Sequence, residues 1–153
     1  MSMCIYHGNC ADGFGAAWVV RKALGEIDFH PGKYQEEPPD VTGKDVVMVD
    51  FSYKRPVLLE MAENANSILI LDHHKTAVED LIDLPANVTA KFDMGRSGAM
   101  LTWEHFFPGQ EPPPLLLHIE DRDLWRFALQ NTRQIQANVF SFPYDFQVWD
   151  TLM

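Results

Sequence analysis

Three short apolar runs share one layout: residues 3–6 end at His7, residues 46–49 end at Asp50, and residues 68–71 end at Asp72. Each run is rich in aliphatic side chains and does not alternate with polar ones, as expected of a strand covered on both faces of a parallel sheet. Weaker strands are predicted at 27–30 and 88–92. Helical spacing fills the gaps. Residues 13–24 open on glycine and place Phe14, Ala17 and Trp18 on one face; after Pro56, positions Leu58, Met61, Ala62 and Ala65 keep the same period. From Ser97 the pattern is helical, over 97–107, then from the prolines at 112–114 to about Leu129, then over 134–140. The polar, proline-bearing stretch 33–45 reads as a long exposed loop. Strands alternating with helices predict an α/β fold: a doubly wound, mostly parallel sheet of about five strands, with helices on both faces and a helical C-terminal part.

The 153 residues are 46% hydrophobic, enough for one domain with a core, and the whole of 1–153 is expected to form a single domain. No stretch approaches the length of a membrane span, and the N-terminus lacks the basic and apolar blocks of a secretion signal. Cys4 and Cys10 do not form a disulfide framework, which favours a reducing, cytoplasmic setting. A formal charge of −10, from 22 acidic and 12 basic side chains, argues against a basic surface for long nucleic acid or anionic membrane. It leaves room for a phosphate substrate, because carboxylates that hold divalent cations present the opposite local field.

In an open parallel sheet, ligands bind at the carboxyl ends of the strands. Here those ends carry His7 with Asp12 just beyond, then Asp50, then Asp72-His73-His74. A lone histidine at a strand end is ordinarily a hydrogen-bonded residue, and a lone aspartate a helix cap. Their coincidence at one edge is the signal. Hard carboxylates mixed with imidazoles suit Mn²⁺, with Mg²⁺, Fe²⁺ or Co²⁺ as other candidates, and a bridging carboxylate can hold two such ions about 3.5–4 Å apart.

The "DHH" after an apolar strand, with His7…Asp12-Gly13 upstream and "VVMVDFS" between, resembles the DHH phosphoesterase superfamily. That superfamily includes RecJ-like exonucleases, nanoRNases, cyclic-dinucleotide phosphodiesterases and manganese pyrophosphatases. The resemblance runs from His7 to about Asn131. It implies that His7, Cys10, Asp12, Asp50, His73 and Asp121 bind one or two metal ions, with Asp123 the competing choice for Asp121 in "IEDRDLWRF". It assigns Asp72 to orientation and His74 to the substrate phosphate. Cys10 stands where the family has the first aspartate of its Asp-x-Asp pair; its thiolate is a softer ligand, or the residue is a small neutral filler. On this resemblance the chain is expected to be the catalytic domain alone, without the family's smaller C-terminal domain and its Gly-rich motif.

The stretch "DMGRSGAM" places free amides at a helix start, where an anion is favoured, with Arg96 able to add a charge-assisted contact; an ordinary Ser97 cap is the competing reading. The expectation is a metal-dependent phosphoesterase that hydrolyses small nucleotides, other small phosphate esters or short single-stranded oligonucleotides by metal-activated water. A pyrophosphate or polyphosphate hydrolase and a non-catalytic metal- or nucleotide-binding module are the alternatives. No membrane partner is expected, and a homodimer is compatible with the chain.

Overall fold

The computed structural model describes residues 1–139 and 141–153. Five parallel strands, β1 (Ser2–His7), β2 (Asp28–Gly32), β3 (Asp45–Val49), β4 (Ser67–Asp72) and β5 (Val88–Phe92), form one sheet in the order β2-β1-β3-β4-β5. Helices α1 (Ala11–Leu24), α2 (Arg55–Asn64), α3 (Lys75–Asp80), α4 (Gly98–Phe106), α5 (Pro114–Asp123), α6 (Thr132–Val139) and α7 (Phe146–Leu152) cover it.

The apolar runs do not alternate because both faces of each central strand are buried. Cys4, Val47, Val49 and Leu71 pack towards α1, α4, α5 and α7, through Phe14, Leu116 and Trp149 among others. Ile5, Met48, Ile68 and Ile70 point the other way, against Leu58, Met61 and Ala77 of α2 and α3. Each of these fully buried aliphatic side chains contributes about 1.5–3 kcal/mol by leaving water.

This packing also locates the site. The β1–β2 crossover, α1, lies on one face and the β3–β4 crossover, α2, on the other, so winding reverses between β1 and β3. Such a reversal opens a crevice at the strands' carboxyl ends. Register then sets the depth. Tyr6 pairs with Val49 and Val49 with Leu71, so the next residues, His7, Asp50 and Asp72, emerge at one level.

Several boundaries differ from the pattern-based expectation. Helix α3 starts directly after the His73-His74 pair and is too short to show a period, and α7 is a further element, capped by the Asp145 side chain, which accepts from Val148 N at 3.1 Å. Helix α5 stops at Asp123 rather than near Leu129, because Trp125 and Phe127 take positive φ angles of 56° and 47° that no α-helix holds. Helix α6 begins at Thr132, ahead of the expected 134, and Phe140 lies outside the described residues. No helix among the described residues is long and apolar enough to cross a membrane.

Candidate metal centre

Two close approaches bring the site together. At Gly13, in the first turn of α1, an added Cβ would lie 2.2 Å from the His7 carbonyl oxygen, so only glycine lets α1 press against the end of β1 and carry Asp12 inward. At Gly98, the first residue of α4, an added Cβ would lie 2.5 Å from Cβ of Asp50. Gly98→Ala should therefore displace Asp50, cost about 1–3 kcal/mol of stability as overpacking does, and weaken the hold on any cation that Asp50 ligates; calorimetric unfolding with a metal titration checks both.

Asp50 sits at the centre, 1% exposed, with a positive φ of 55° that breaks β3 and is tolerated by aspartate. Its Oδ1 lies 2.8 Å from His73 Nε2. Its Oδ2 lies 3.6 Å from His7 Nδ1 and accepts from the Cys10 thiol at 3.6 Å. His73 Nε2 is also 3.4 Å from Asp12 Oδ2 and 3.6 Å from Asp123 Oδ2. Ligand atoms of His7, Cys10 and Asp50 all fall within 4.8 Å of one another; so do those of Asp12, His73 and Asp123, and those of Asp50, Asp72, His73 and His74.

Asp72, fully buried, works as an orienter. Its Oδ2 accepts from Ser52 Oγ at 2.7 Å; its Oδ1 accepts from His73 N at 2.8 Å and contacts His74 Nδ1 at 2.7 Å. The backbone turns after β4, so the two imidazoles lie side by side with centroids 4.5 Å apart. With Nδ1 held by Asp72, His74 presents Nε2. Ser52 was not foreseen, although it follows Asp50 by two residues in "DFS" and its hydroxyl is the short polar group a buried carboxylate needs.

The charges are crowded. Burial, then Asp50 and Asp123, holds the Asp12 carboxyl well above the usual range, and burial followed by Asp50 raises that of Asp123. Burial works against ionisation of Asp50 too, but His7 and His73 outweigh it and bring its carboxyl down to about 2. Burial opposes charge on His73, yet Asp50 raises its pKa; Asp72 does the same for His74. Burial and then Asp50 push the Cys10 thiol up to about 12.

Two expected site residues are corrected. Asp121 does not reach the cluster: its carboxylate accepts from Ala128 N at 2.8 Å, Leu129 N at 3.0 Å and Thr132 Oγ1 at 2.6 Å, closing the turn after α5. Asp123, two residues on and so across the helix, is the one beside His73. Arg96 is not poised for a phosphate, because its guanidinium pairs with Glu104 at 2.9 Å and Glu120 at 3.3 Å. Nor are the amides at the start of α4 open to an anion. Gly98 N and Ala99 N donate to the Asp12 carboxylate at 2.8 and 2.9 Å, Ser97 N to Glu120 at 3.1 Å, and Met100 N to Ser97 Oγ at 3.2 Å. The group that fills that helix start is the protein's own Asp12 carboxyl, with Glu120 beside it.

No family model matches the chain. It is 32% identical over 170 residues to "Uncharacterized protein R106" of Acanthamoeba polyphaga mimivirus, an alignment that takes in all of this chain and 40% of the viral protein. The chain thus spans about two fifths of the length of the curated relative it matches. Among solved structures, an uncharacterized protein from Helicobacter pylori G27 superposes with a TM-score of 0.65 at 15% identity, over 84% of this chain and 45% of that one. At that identity the likeness is one of fold: the parallel α/β sheet and the helices around it.

Proposed function

We propose that this chain is a metal-dependent phosphoesterase of the DHH type that hydrolyses small phosphate esters, nucleotides or short oligonucleotides in the cytoplasm. The observation that carries this reading is the Asp50 carboxylate, whose two oxygens face two different donor groups, His73 on one side and His7 with Cys10 on the other. A carboxylate so placed suits a bridge between two divalent cations. The donor set fits such ions in two further respects. His7 Nδ1 is buried, and Asp50 Oδ2, at 3.6 Å, stays just beyond hydrogen-bond distance, so among the described residues it has an ionic neighbour but no hydrogen bond. Asp12, Asp50 and Asp123 crowd around one imidazole, an arrangement of like charges that a cation would neutralise.

His7, Cys10 and Asp50 would hold one ion; Asp12, Asp50, His73 and Asp123 would hold the other. Imidazole beside carboxylate favours Mn²⁺ over Ca²⁺. When bound, such ions activate a water molecule and neutralise charge developing on a phosphoryl group. The protein supplies the rest. His74 offers Nε2 to a phosphoryl oxygen, and Asp72 and Ser52 fix that ring.

The test is turnover of bis(p-nitrophenyl) phosphate after dialysis against chelator, with and without Mn²⁺, alongside metal content by mass spectrometry. Expected are activity restored by Mn²⁺, loss of one metal in His73→Ala, and metal kept but turnover down about 10²–10³-fold in His74→Ala, as for one removed electrostatic donor. Full activity in excess chelator sinks the reading; metal lost from His74→Ala but kept in His73→Ala reverses the two roles. A second reading, a metal-binding module without catalysis, draws on Cys10, whose protonated thiol donates to Asp50. It predicts metal uptake with no ester turned over.

A further inference from the structure

Next to the candidate metal centre, the loop 33–44 lies along α2 and with it lines a half-open cleft of about 1070 Å³ that reaches His74 and Thr76. Small-molecule sites run to about 1,000 Å³, so this one is large enough for the organic part of a substrate whose phosphate lies at the centre. Tyr34 joins the two regions: it lines the cavity, and its ring stands 5.8 Å from that of His7 and 4.8 Å from that of Phe51.

The lining has two features that select an occupant. The first is charge. Glu36, Glu37, Asp40 and Glu60 line the cavity, against Lys54 as the one ammonium among the described lining residues and Lys44 behind Asp40, its ammonium 3.1 Å from that residue's carbonyl oxygen. A nucleic-acid chain or polyphosphate running out from the centre on this side would bring its own anions among those carboxylates. The second is an aromatic and apolar wall made by Tyr34, Tyr53, Val57 and Met61. Tyr53 is only 5% exposed, yet its hydroxyl is buried with no hydrogen-bond partner among the described residues. A buried hydroxyl left unpaired is costly, and an aminoalkyl ammonium, unlike a quaternary one, carries the N–H that can donate to it.

We infer that this cavity receives the alcohol side of the phosphoester, and that this group is a small organic cation with an apolar body, such as a quaternary or aminoalkyl ammonium. Carboxylates and tyrosine faces together are the recognised chemistry for such cations. The inference rests on the phosphoesterase reading and narrows it, setting aside polyphosphates and oligonucleotide chains on this side of the centre.

Two experiments separate the inference from its foundation. The first is binding without turnover. Benzyltrimethylammonium, benzyl alcohol and benzenesulfonate, matched in shape but cationic, neutral and anionic, are titrated into the Mg²⁺-loaded full chain and followed by NMR. The cation should bind best and the sulfonate least, with shifts centred on Tyr53 and Val57. Asp40→Asn combined with Glu60→Gln should weaken the cation about threefold, through two screened charges, and leave benzyl alcohol unchanged. Sulfonate binding equal to or tighter than that of the cation, or shifts centred elsewhere, overturns the inference. The second is turnover with Mn²⁺ of two p-nitrophenyl diesters that share a leaving group, p-nitrophenyl phosphorylcholine and thymidine 5′-p-nitrophenyl phosphate. A higher kcat/KM for the choline ester supports the inference, and a higher value for the thymidine ester overturns it. Selective cation binding with neither ester hydrolysed supports the cation site and overturns the phosphoesterase reading instead.

Discussion

Asp50→Asn should lower turnover more than about 10³-fold, beyond the loss expected for any single electrostatic donor, and should strip both metals rather than one. Each oxygen of Asp50 faces its own donor group, so one substitution removes a ligand from each. The amide nitrogen that replaces one oxygen is a donor. It would face either His73 Nε2 or the His7 and Cys10 pair, and so repel a cation where the carboxylate attracts one. The metal-free protein should also lose stability, but modestly. The Asp50 carboxyl is held down to about 2 by its histidine contacts, which outweigh burial, so the ionised form stabilises the fold. The sign follows: a depressed folded-state pKa gives stability that is present above the ordinary carboxylate range and lost as pH falls towards 2. Metal content, turnover and thermal unfolding on one preparation check the prediction. Retention of one full equivalent of metal would mean that the two donor groups do not share Asp50.

The elements that position this centre were legible because their signals are local. Three non-alternating runs, each stopped by His7, Asp50 or Asp72, needed only the rule that strands covered on both faces are continuously apolar. The side chains at the strand ends then converged through parallel register, which a one-residue slip would have scattered. Illegible were the features decided by tertiary contact. The "GRSGAM" segment has the chemistry of an open anion site, but no local pattern says that Asp12, more than eighty residues earlier, fills it. The pairing of Arg96 is hidden for the same reason, since its partners Glu104 and Glu120 come from α4 and α5. The polar composition of 33–45 marks a loop, yet its carboxylates line a cavity only because it lies against α2. The capped α7 did carry a signal in Asp145 ahead of "FQVWDTL", which the pattern alone did not weigh.

Asp121→Asn and Asp123→Asn are neighbours in sequence, and they should fail in opposite ways. The choice between them depends on the phase of α5, since residues two apart on a helix point to nearly opposite sides. Asp121 spends both oxygens on the turn that ends α5, taking bonds from two amides and from Thr132, whose hydroxyl also lies 2.8 Å from His118 Nδ1. An asparagine there keeps one acceptor and turns an NH₂ group towards a donor. The cost should be about 1–3 kcal/mol, that of a buried donor left unpaired, with metal content unchanged. Asp123 makes the converse case. Burial and then Asp50 disfavour its ionised form, so its charge destabilises the metal-free fold, a cost that the proposed cation would offset. Metal-free Asp123→Asn should therefore unfold no earlier than the parent protein, while losing the ion shared with Asp12 and His73. Its turnover should fall about 10²–10³-fold, on the scale of one lost electrostatic contact in a site of this kind. Thermal unfolding with and without Mn²⁺ and metal content for both variants decide the matter. If Asp121→Asn loses metal and Asp123→Asn keeps it, the ligand is Asp121, and the turn after α5 must rearrange when a cation binds.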